Sequence, residues 1–228
     1  MSASPPAAAR VVVVVAPTSH LSDAEARGAV LGRAAAVLRV PPGDLRVDHD
    51  DQGRPRLSGA GRGMHISLSH GRGVAAVAMT RAGPVGVDVE TVRPLPALRL
   101  ARRWFTPEEA AWLRALPERR RPAAYFWLWT HKEAMGKALG TGLAQGGLSR
   151  PAPLPDHWPP PSGTRLLPCG AAGSEALAVA APRVAPHLQL AVAAAGMGCS
   201  GAPVDLYPRV AAAGPEAPLD TPTYTCQF

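Results

Sequence analysis

Short apolar runs separated by polar turns fill the first half of the chain and predict one helix with several strands. The unbroken valines of "VVVVV" at 11–15 are typical of a buried strand. Ser22 and Glu25 form a capping-box pattern, so a helix is expected over "AEARGAVLGRAAAVL". Further strands are predicted where the apolar runs "LRVD", "MHISLS", "GVAAVAMT" and "GPVGVDVE" occur.

The second half repeats this composition with longer helices. Thr106, Pro107 and Glu109 again give a capping box with proline at the first helical position. The longest helix is predicted over "RPAAYFWLWTHKEAMGKALG", ending at Gly140, and closing strands over "TRLLPC", "ALAVAA" and "LQLAVAAA". We therefore expect a disordered N-terminus at 1–9, α+β halves at 10–93 and 94–195, and a mostly loose tail at 196–228.

Composition and charge limit the class of protein without choosing a function. A chain of 228 residues with 46% hydrophobic and 18% charged residues is typical of a globular protein. The net charge of +7 fits either a solvated arginine-rich surface or an anionic partner. Three cysteines favour a reducing cytoplasm over a disulfide framework. The run at 11–16 is too short to span a bilayer, so no membrane partner is expected.

The strand predicted at 85–90 carries two acids on one face. Val85, Val87 and Val89 point to one side, whereas Gly86, Asp88 and Glu90 point to the other. If the strand ends at Asp88, both acids are simply solvated. If it continues, the repulsion between Asp88 and Glu90 is relieved by a hard cation, and Mg²⁺ is typically held by a few carboxylates together with substrate phosphates.

Two other segments carry candidate phosphate-binding groups. Trp129, Glu133 and Lys137 share one face of the long helix; a Glu–Lys surface pair is the ordinary interpretation, and the surrounding aromatics argue against it. Ser69 and His70 end a strand just before glycines, which suits a phosphate, although an isolated histidine is more often a surface residue. "GRPRL" puts Arg54 and Arg56 in a predicted turn. Neither a zinc site nor a serine nucleophile is indicated.

The ordered set of "GRP", "SHG", "GVDVE" and "WTHKEAMGKALGTGL" resembles the 4′-phosphopantetheinyl transferases of the type that activates surfactin synthetase (Sfp-like). The resemblance runs from about Leu38 to Leu143 and weakens through the closing strands. It implies two similar α+β halves packed as a pseudo-dimer, with coenzyme A in the cleft between them.

The resemblance also implies a reaction of the holo-acyl-carrier-protein synthase type. The 4′-phosphopantetheine arm of coenzyme A is transferred to a serine of an apo acyl- or peptidyl-carrier protein, with Mg²⁺ as cofactor, and 3′,5′-ADP leaves. The carrier would belong to fatty-acid, polyketide or nonribosomal-peptide assembly, and the enzyme would act as a cytoplasmic monomer without nucleic acid. The implied roles are Mg²⁺ ligation by Asp88, Glu90 and Glu133, catalysis by Glu133 and Lys137, phosphate contacts by Lys132 and Lys137, and 3′-phosphate binding by Arg54, Ser69 and His70.

Two alternatives remain open at this stage. The same three carboxylates would serve a Mg²⁺-dependent phosphoester or nucleotide hydrolase that needs no carrier protein. A basic nucleic-acid-binding protein is the second alternative, but the arginines are scattered, no zinc-finger or RNP motif occurs, and aromatic residues are only 5% of the chain.

Overall fold

The first half consists of one helix and an antiparallel sheet. The computed structural model describes residues 10–51, 53–143, 147–169, 177–196 and 199–207. Strand β1 (Val11–Pro17) leads into helix α1 (Asp23–Leu38), and four strands follow: β2 (Leu45–His49), β3 (Pro55–Gly59), β4 (His65–Gly71) and β5 (Val74–Thr80). Helix α1 packs on the sheet through Val30, Ala34 and Ala35, which join Val14, Val77 and Met79 in a buried cluster.

The second half surrounds one long helix. It comprises β6 (Val85–Thr91), α2 (Ala97–Trp104), α3 (Pro107–Ala115), α4 (Arg121–Leu139), β7 (Leu167–Pro168), β8 (Leu177–Ala180), β9 (Leu188–Ala195) and β10 (Val204–Tyr207). The strands form two sheets, ordered β10-β1-β5-β4-β3-β2 and β6-β9-β8-β7. Helix α4 packs against β6 and β9. Both halves are therefore α+β, and the predicted fold class is confirmed.

The division into halves differs from the expected boundary at residues 93 and 94. Strand β6 was assigned to the first half, but it pairs along its whole length with β9 of the second sheet. Its valines still join the apolar layer between the sheets, where Val85, Val87 and Val89 are buried with Val13 and Val192. Sheet pairing thus places the boundary just before β6.

The expectation of a loose tail is wrong for residues 204–207. They form β10, which pairs in parallel with β1 from Val11 to Val14. This pairing returns the chain from the second half to the first sheet. The rest of the expected tail, beyond Tyr207, and the expected disordered segment at 1–9 lie outside the described residues.

Both predicted capping boxes are confirmed. The side chain of Ser22 accepts from the Glu25 amide, and Glu25 accepts from the Ser22 amide at 2.8 Å. Thr106 and Glu109 make the same reciprocal pair at the start of α3. Gly140 ends α4 with φ 70°, a left-handed conformation that favours glycine. None of the helices in the described residues is long and apolar enough to cross a membrane.

Gly86 brings β6 into direct contact with α4. A Cβ at this position would fall inside contact distance of the Ala134 carbonyl oxygen and 2.7 Å from the Ala138 amide nitrogen. We therefore expect Gly86→Ala to cost about 1–3 kcal/mol, because the atoms it meets belong to the helix backbone and cannot turn aside.

The measurement is thermal unfolding of Gly86→Ala beside Gly28→Ala. A Cβ at Gly28, inside α1, would meet nothing within 4 Å. The control should therefore keep or raise the melting temperature, since alanine is the better helix former. Equal melting temperatures for the wild type and Gly86→Ala would contradict the close approach of β6 and α4.

Candidate active site

A cleft of about 950 Å³ lies between the first sheet and the C-terminal end of α4. Strands β3 and β4 line one side, while Lys137, Ala138 and Gly140 line the other. The lining carries four cationic side chains against two carboxylates, Asp23 and Asp50, and this excess of positive charge suits a negatively charged ligand. Its cationic and imidazole side chains are Arg27, His49, Arg54, Arg56, His65, His70 and Lys137.

Asp88 lies beside this cleft, buried in the middle of β6. Its Oδ1 accepts hydrogen bonds from Ser69 Oγ at 2.7 Å and from Lys137 Nζ at 2.9 Å. Its Oδ2 is buried and has no hydrogen-bond partner among the described residues. Burial raises the pKa of Asp88 despite the opposing effects of Lys137 and Ser69. A buried carboxylate oxygen without a partner is costly, and a bound cation would relieve that cost.

The other two expected metal ligands belong to the same electrostatic group. Burial, followed by the charges of Asp88 and Glu90, raises the pKa of Glu133 on α4. Burial also raises the pKa of Glu90, although Arg93 donates to Glu90 Oε2 at 3.2 Å. The predicted stripe on α4 is present, since Trp129, Glu133 and Lys137 are partly exposed on an otherwise largely buried helix.

These carboxylates fit a hard cation by chemistry, but they are not assembled around a single point. Within the described ranges, no three histidine, cysteine or acidic side chains converge closely enough to hold one ion. The observation in favour of a cation is the unpartnered Asp88 Oδ2 together with the mutual rise in pKa. Metal ligation by Asp88, Glu90 and Glu133 therefore stays a prediction.

The three residues expected at the 3′-phosphate all line the cleft, in different environments. Arg54 donates from Nη2 to the Gly140 carbonyl oxygen at 3.1 Å and so joins the β2–β3 connection to the end of α4. His70 is exposed at the end of β4. Ser69 is buried and its hydroxyl is already engaged by Asp88 and by the Val89 amide. The predicted turn at "GRPRL" is in part a strand, since Arg56 lies in β3.

Lys132 is the expected phosphate ligand that the fold does not bring to the cleft. Its side chain is 0% exposed, and Nζ pairs with Glu109 of α3 at 2.8 Å. The same ammonium donates to the Arg150 carbonyl oxygen at 2.6 Å and lies 5.0 Å from the centre of the Phe105 ring. The expectation is wrong because the ammonium group of Lys132 is buried between α3 and α4, where the carboxylate of Glu109 neutralises its charge.

The cleft also contains residues to which the sequence analysis assigned no role. Arg27 comes from α1, where its Nη2 lies 3.3 Å from His49 Nε2. Arg56 pairs with Asp50 at 3.0 Å. Burial and the charge of Arg56 lower the pKa of His65.

Comparison with known proteins finds one matching family model and several relatives. A sequence model of the 4′-phosphopantetheinyl transferase superfamily matches residues 84–171, which include β6 and α4. The 4′-phosphopantetheinyl transferase HetI of Nostoc sp. is 36% identical over 122 residues, or 52% of each chain. A putative 4′-phosphopantetheinyl transferase of Synechocystis sp. is 32% identical over 140 residues, covering 54% of this chain and 56% of the relative.

The 4′-phosphopantetheinyl transferase Sfp of Bacillus subtilis is 29% identical over 102 residues, covering 44% of each chain. This chain thus spans about half the length of the curated relatives it matches. The matched segments carry the paired carboxylates and the Lys-Glu helix that face each other beside the cleft. Residues 84–171 are therefore similar to the 4′-phosphopantetheinyl transferase superfamily.

Proposed function

We propose that the protein transfers the 4′-phosphopantetheine arm of coenzyme A to a serine of an apo acyl- or peptidyl-carrier protein. The observation that carries the proposal is the basic cleft bordered by Lys137 of α4, whose Nζ pairs with Asp88 of β6 at 2.9 Å. Coenzyme A bears three phosphates, and the cleft is lined by cations on both sides. The reaction is of the holo-acyl-carrier-protein synthase type.

In the proposed reaction the serine hydroxyl oxygen of the carrier attacks the β-phosphorus of coenzyme A. The bond from this phosphorus to the bridging oxygen breaks, and 3′,5′-ADP leaves with the electron pair. Glu133 takes the serine proton, directly or through a water. Its raised pKa supports this role, because a stronger base accepts a proton more readily.

Asp88, Glu90 and Glu133 would hold Mg²⁺, which supplies neutralisation of the charge on the pyrophosphate. Lys137 adds a cation on the same side, since its Nζ contacts both Asp88 Oδ1 and the Val87 carbonyl oxygen while its side chain borders the cleft. Arg54 and His70 also line the cleft and would bind the 3′-phosphate. Cys199 carries a reduced, buried thiol, which fits a cytoplasmic enzyme, and we propose that the enzyme acts as a monomer.

The test is incubation of the protein with coenzyme A, MgCl₂ and apo-carrier proteins from fatty-acid, polyketide and nonribosomal-peptide systems. Intact mass should show a carrier that has gained one phosphopantetheine arm, and replacement of MgCl₂ by EDTA should prevent this gain. Cleavage of coenzyme A without any carrier would instead identify a hydrolase. Unmodified carriers throughout, with intact coenzyme A, would contradict the proposal.

His70 gives a sharper prediction about the 3′-phosphate. We expect His70→Ala to raise the KM for coenzyme A about tenfold, the value of one charge-assisted hydrogen bond. The KM for dephospho-coenzyme A, which lacks this phosphate, should change little. His157→Ala removes an exposed histidine outside the cleft and serves as the control. Equal effects of His70→Ala on both substrates would remove His70 from this role.

The exposed face of α2 gives a prediction about the carrier. Arg99, Arg102 and Arg103 lie at i, i+3 and i+4 on this helix and are exposed. Carrier proteins of this class are acidic near the modified serine, so we expect Arg99→Glu with Arg102→Glu to raise the carrier KM about tenfold and to spare the coenzyme A KM.

The measurement is steady-state transfer with each substrate varied in turn, at low and high salt. The wild-type carrier KM should rise with salt, because the Debye length falls from ~10 Å at 0.1 M to ~3 Å at 1 M. Arg33→Glu, an exposed charge reversal on α1, is the control. If both double-variant KM values rise equally, the docking surface lies elsewhere.

A further inference from the structure

Strand β6 lies at the edge of the four-stranded sheet, and its outer main-chain groups face the other half of the molecule. An edge strand leaves a row of amides and carbonyls without ladder partners, and burial makes these groups costly. Within the described residues, no strand of the first sheet pairs with β6. The outer edge of β6 is instead satisfied by side chains.

Two serines of β4 supply the acceptors for this edge. Ser67 Oγ accepts from the Val87 amide at 3.1 Å, and Ser69 Oγ accepts from the Val89 amide at 3.3 Å. The serines are two residues apart, as are the amides, so one face of β4 matches one edge of β6. Lys137 completes the edge by donating to the Val87 carbonyl oxygen at 2.9 Å.

The two serines differ in one respect. A hydroxyl has one proton to donate. Ser69 donates it to Asp88 Oδ1 at 2.7 Å, while Lys137 donates to the same oxygen at 2.9 Å. Both contacts hold Oδ1, and the buried Oδ2 is left without a partner in the described part of the chain. The hydrogen bonds to Oδ1 therefore set the orientation of the carboxylate, while Oδ2 accepts no hydrogen bond from the described residues.

We infer that Ser69 is a positioning residue, which orients the Asp88 carboxylate so that Oδ2 is presented to the divalent cation. This assignment replaces a contact of Ser69 with the 3′-phosphate and rests on the proposed function. Ser69 is buried, and its proton is committed to Asp88. Partners that orient a metal-binding carboxylate typically govern metal affinity by about 10–100-fold.

The structure offers a matched control in Ser67. Ser67→Ala and Ser69→Ala each leave one β6 amide without its acceptor, so both variants should lose a similar amount of thermal stability. Only Ser69→Ala also releases Asp88. The difference in metal affinity between the two variants therefore reports the orientation of the Asp88 carboxylate alone, because the loss of contact between β4 and β6 is common to both.

The experiment titrates Mg²⁺ in the transfer assay and, independently, follows Mn²⁺ binding by electron paramagnetic resonance with coenzyme A present. Ser69→Ala should raise the half-saturating concentration of both ions at least about tenfold. Ser67→Ala should stay within about twofold of the wild type. Ser69→Cys, which keeps a weak donor of similar size, should shift metal binding by several-fold and serves if the alanine variant does not fold.

The outcomes separate the inference from the proposed function. Equal metal affinities for Ser69→Ala and Ser67→Ala would overturn the inference, even if transfer by the wild type is confirmed. A rise in the coenzyme A KM that is absent with dephospho-coenzyme A would also overturn it, since Ser69 would then contact the 3′-phosphate. If the wild type transfers no arm, the proposed function fails, while the Mn²⁺ titration still tests the role of Ser69.

Discussion

Asp88→Asn is expected to lower transfer to a carrier protein by about 10³-fold or more while the protein stays folded. The substitution keeps the shape of the side chain and removes the charge that a cation needs. Loss of one electrostatic contact to the transition state is typically worth about 10²–10³ in turnover, and a metal ligand should exceed this. Turnover at saturating Mg²⁺ is the measurement, and Asp48→Asn, an exposed acid on β2, is the control.

Stability should move in the opposite direction from activity. Burial raises the folded-state pKa of Asp88 above its ordinary value, so the ionised carboxyl costs stability at neutral pH. A raised pKa gives stability that is present at low pH and lost as the pH rises through the folded-state value. In the absence of metal, Asp88→Asn should therefore melt at the same temperature as the wild type at pH 7, or higher.

The difference in melting temperature should shrink as the pH falls toward the ordinary range of aspartate, because the wild-type carboxyl then becomes neutral as well. A variant that keeps near-wild-type turnover at saturating Mg²⁺ would exclude Asp88 from the metal site. A variant that loses both activity and several degrees of melting temperature at pH 7 would show that the pair with Lys137 mainly supports the fold.

Local sequence patterns predicted the elements well, because the interactions that fix them are local. The capping boxes at Ser22 and Thr106 involve residues three positions apart, and both are present. The alternation in β6 correctly separated the buried valines from Asp88 and Glu90. These features depend on backbone geometry within one element and on little else.

Pairing between distant segments could not be predicted in the same way. The sequence does not show that β6 pairs with β9 rather than with its neighbours in the first half, since both partners would bury the same valines. The short strand β10 lies among glycines and prolines, and only its parallel pairing with β1 fixes it. Ser69 was likewise assigned to a ligand because its partner Asp88 lies 19 residues away.

The error at Lys132 could have been recognised from helix geometry. Successive residues of a helix are about 100° apart, so Lys132 and Glu133 cannot both face the cleft. Lys137 is five residues beyond Lys132, so its side chain leaves the helix in a different direction from that of Lys132. A motif interpreted as one functional unit therefore contains two faces, of which one borders the cleft at Lys137 and the other packs inside the protein at Lys132.

The last prediction tests this division of the motif. Lys132→Met should lower the free energy of unfolding by about 3–5 kcal/mol, the usual cost of breaking a buried ion pair by removing one partner. Glu109 would keep its contacts with the Thr106 amide at 2.9 Å and the Ala152 amide at 2.8 Å. Its carboxylate would nevertheless be buried without a cation.

Denaturant unfolding of the single and double variants gives the measurement. Lys132→Met with Glu109→Gln should recover most of the lost stability, because removing both charges also removes the uncompensated one. In the folded Lys132→Met variant, the KM for coenzyme A should equal that of the wild type. A large rise in this KM with little change in stability would return Lys132 to the phosphates of the substrate.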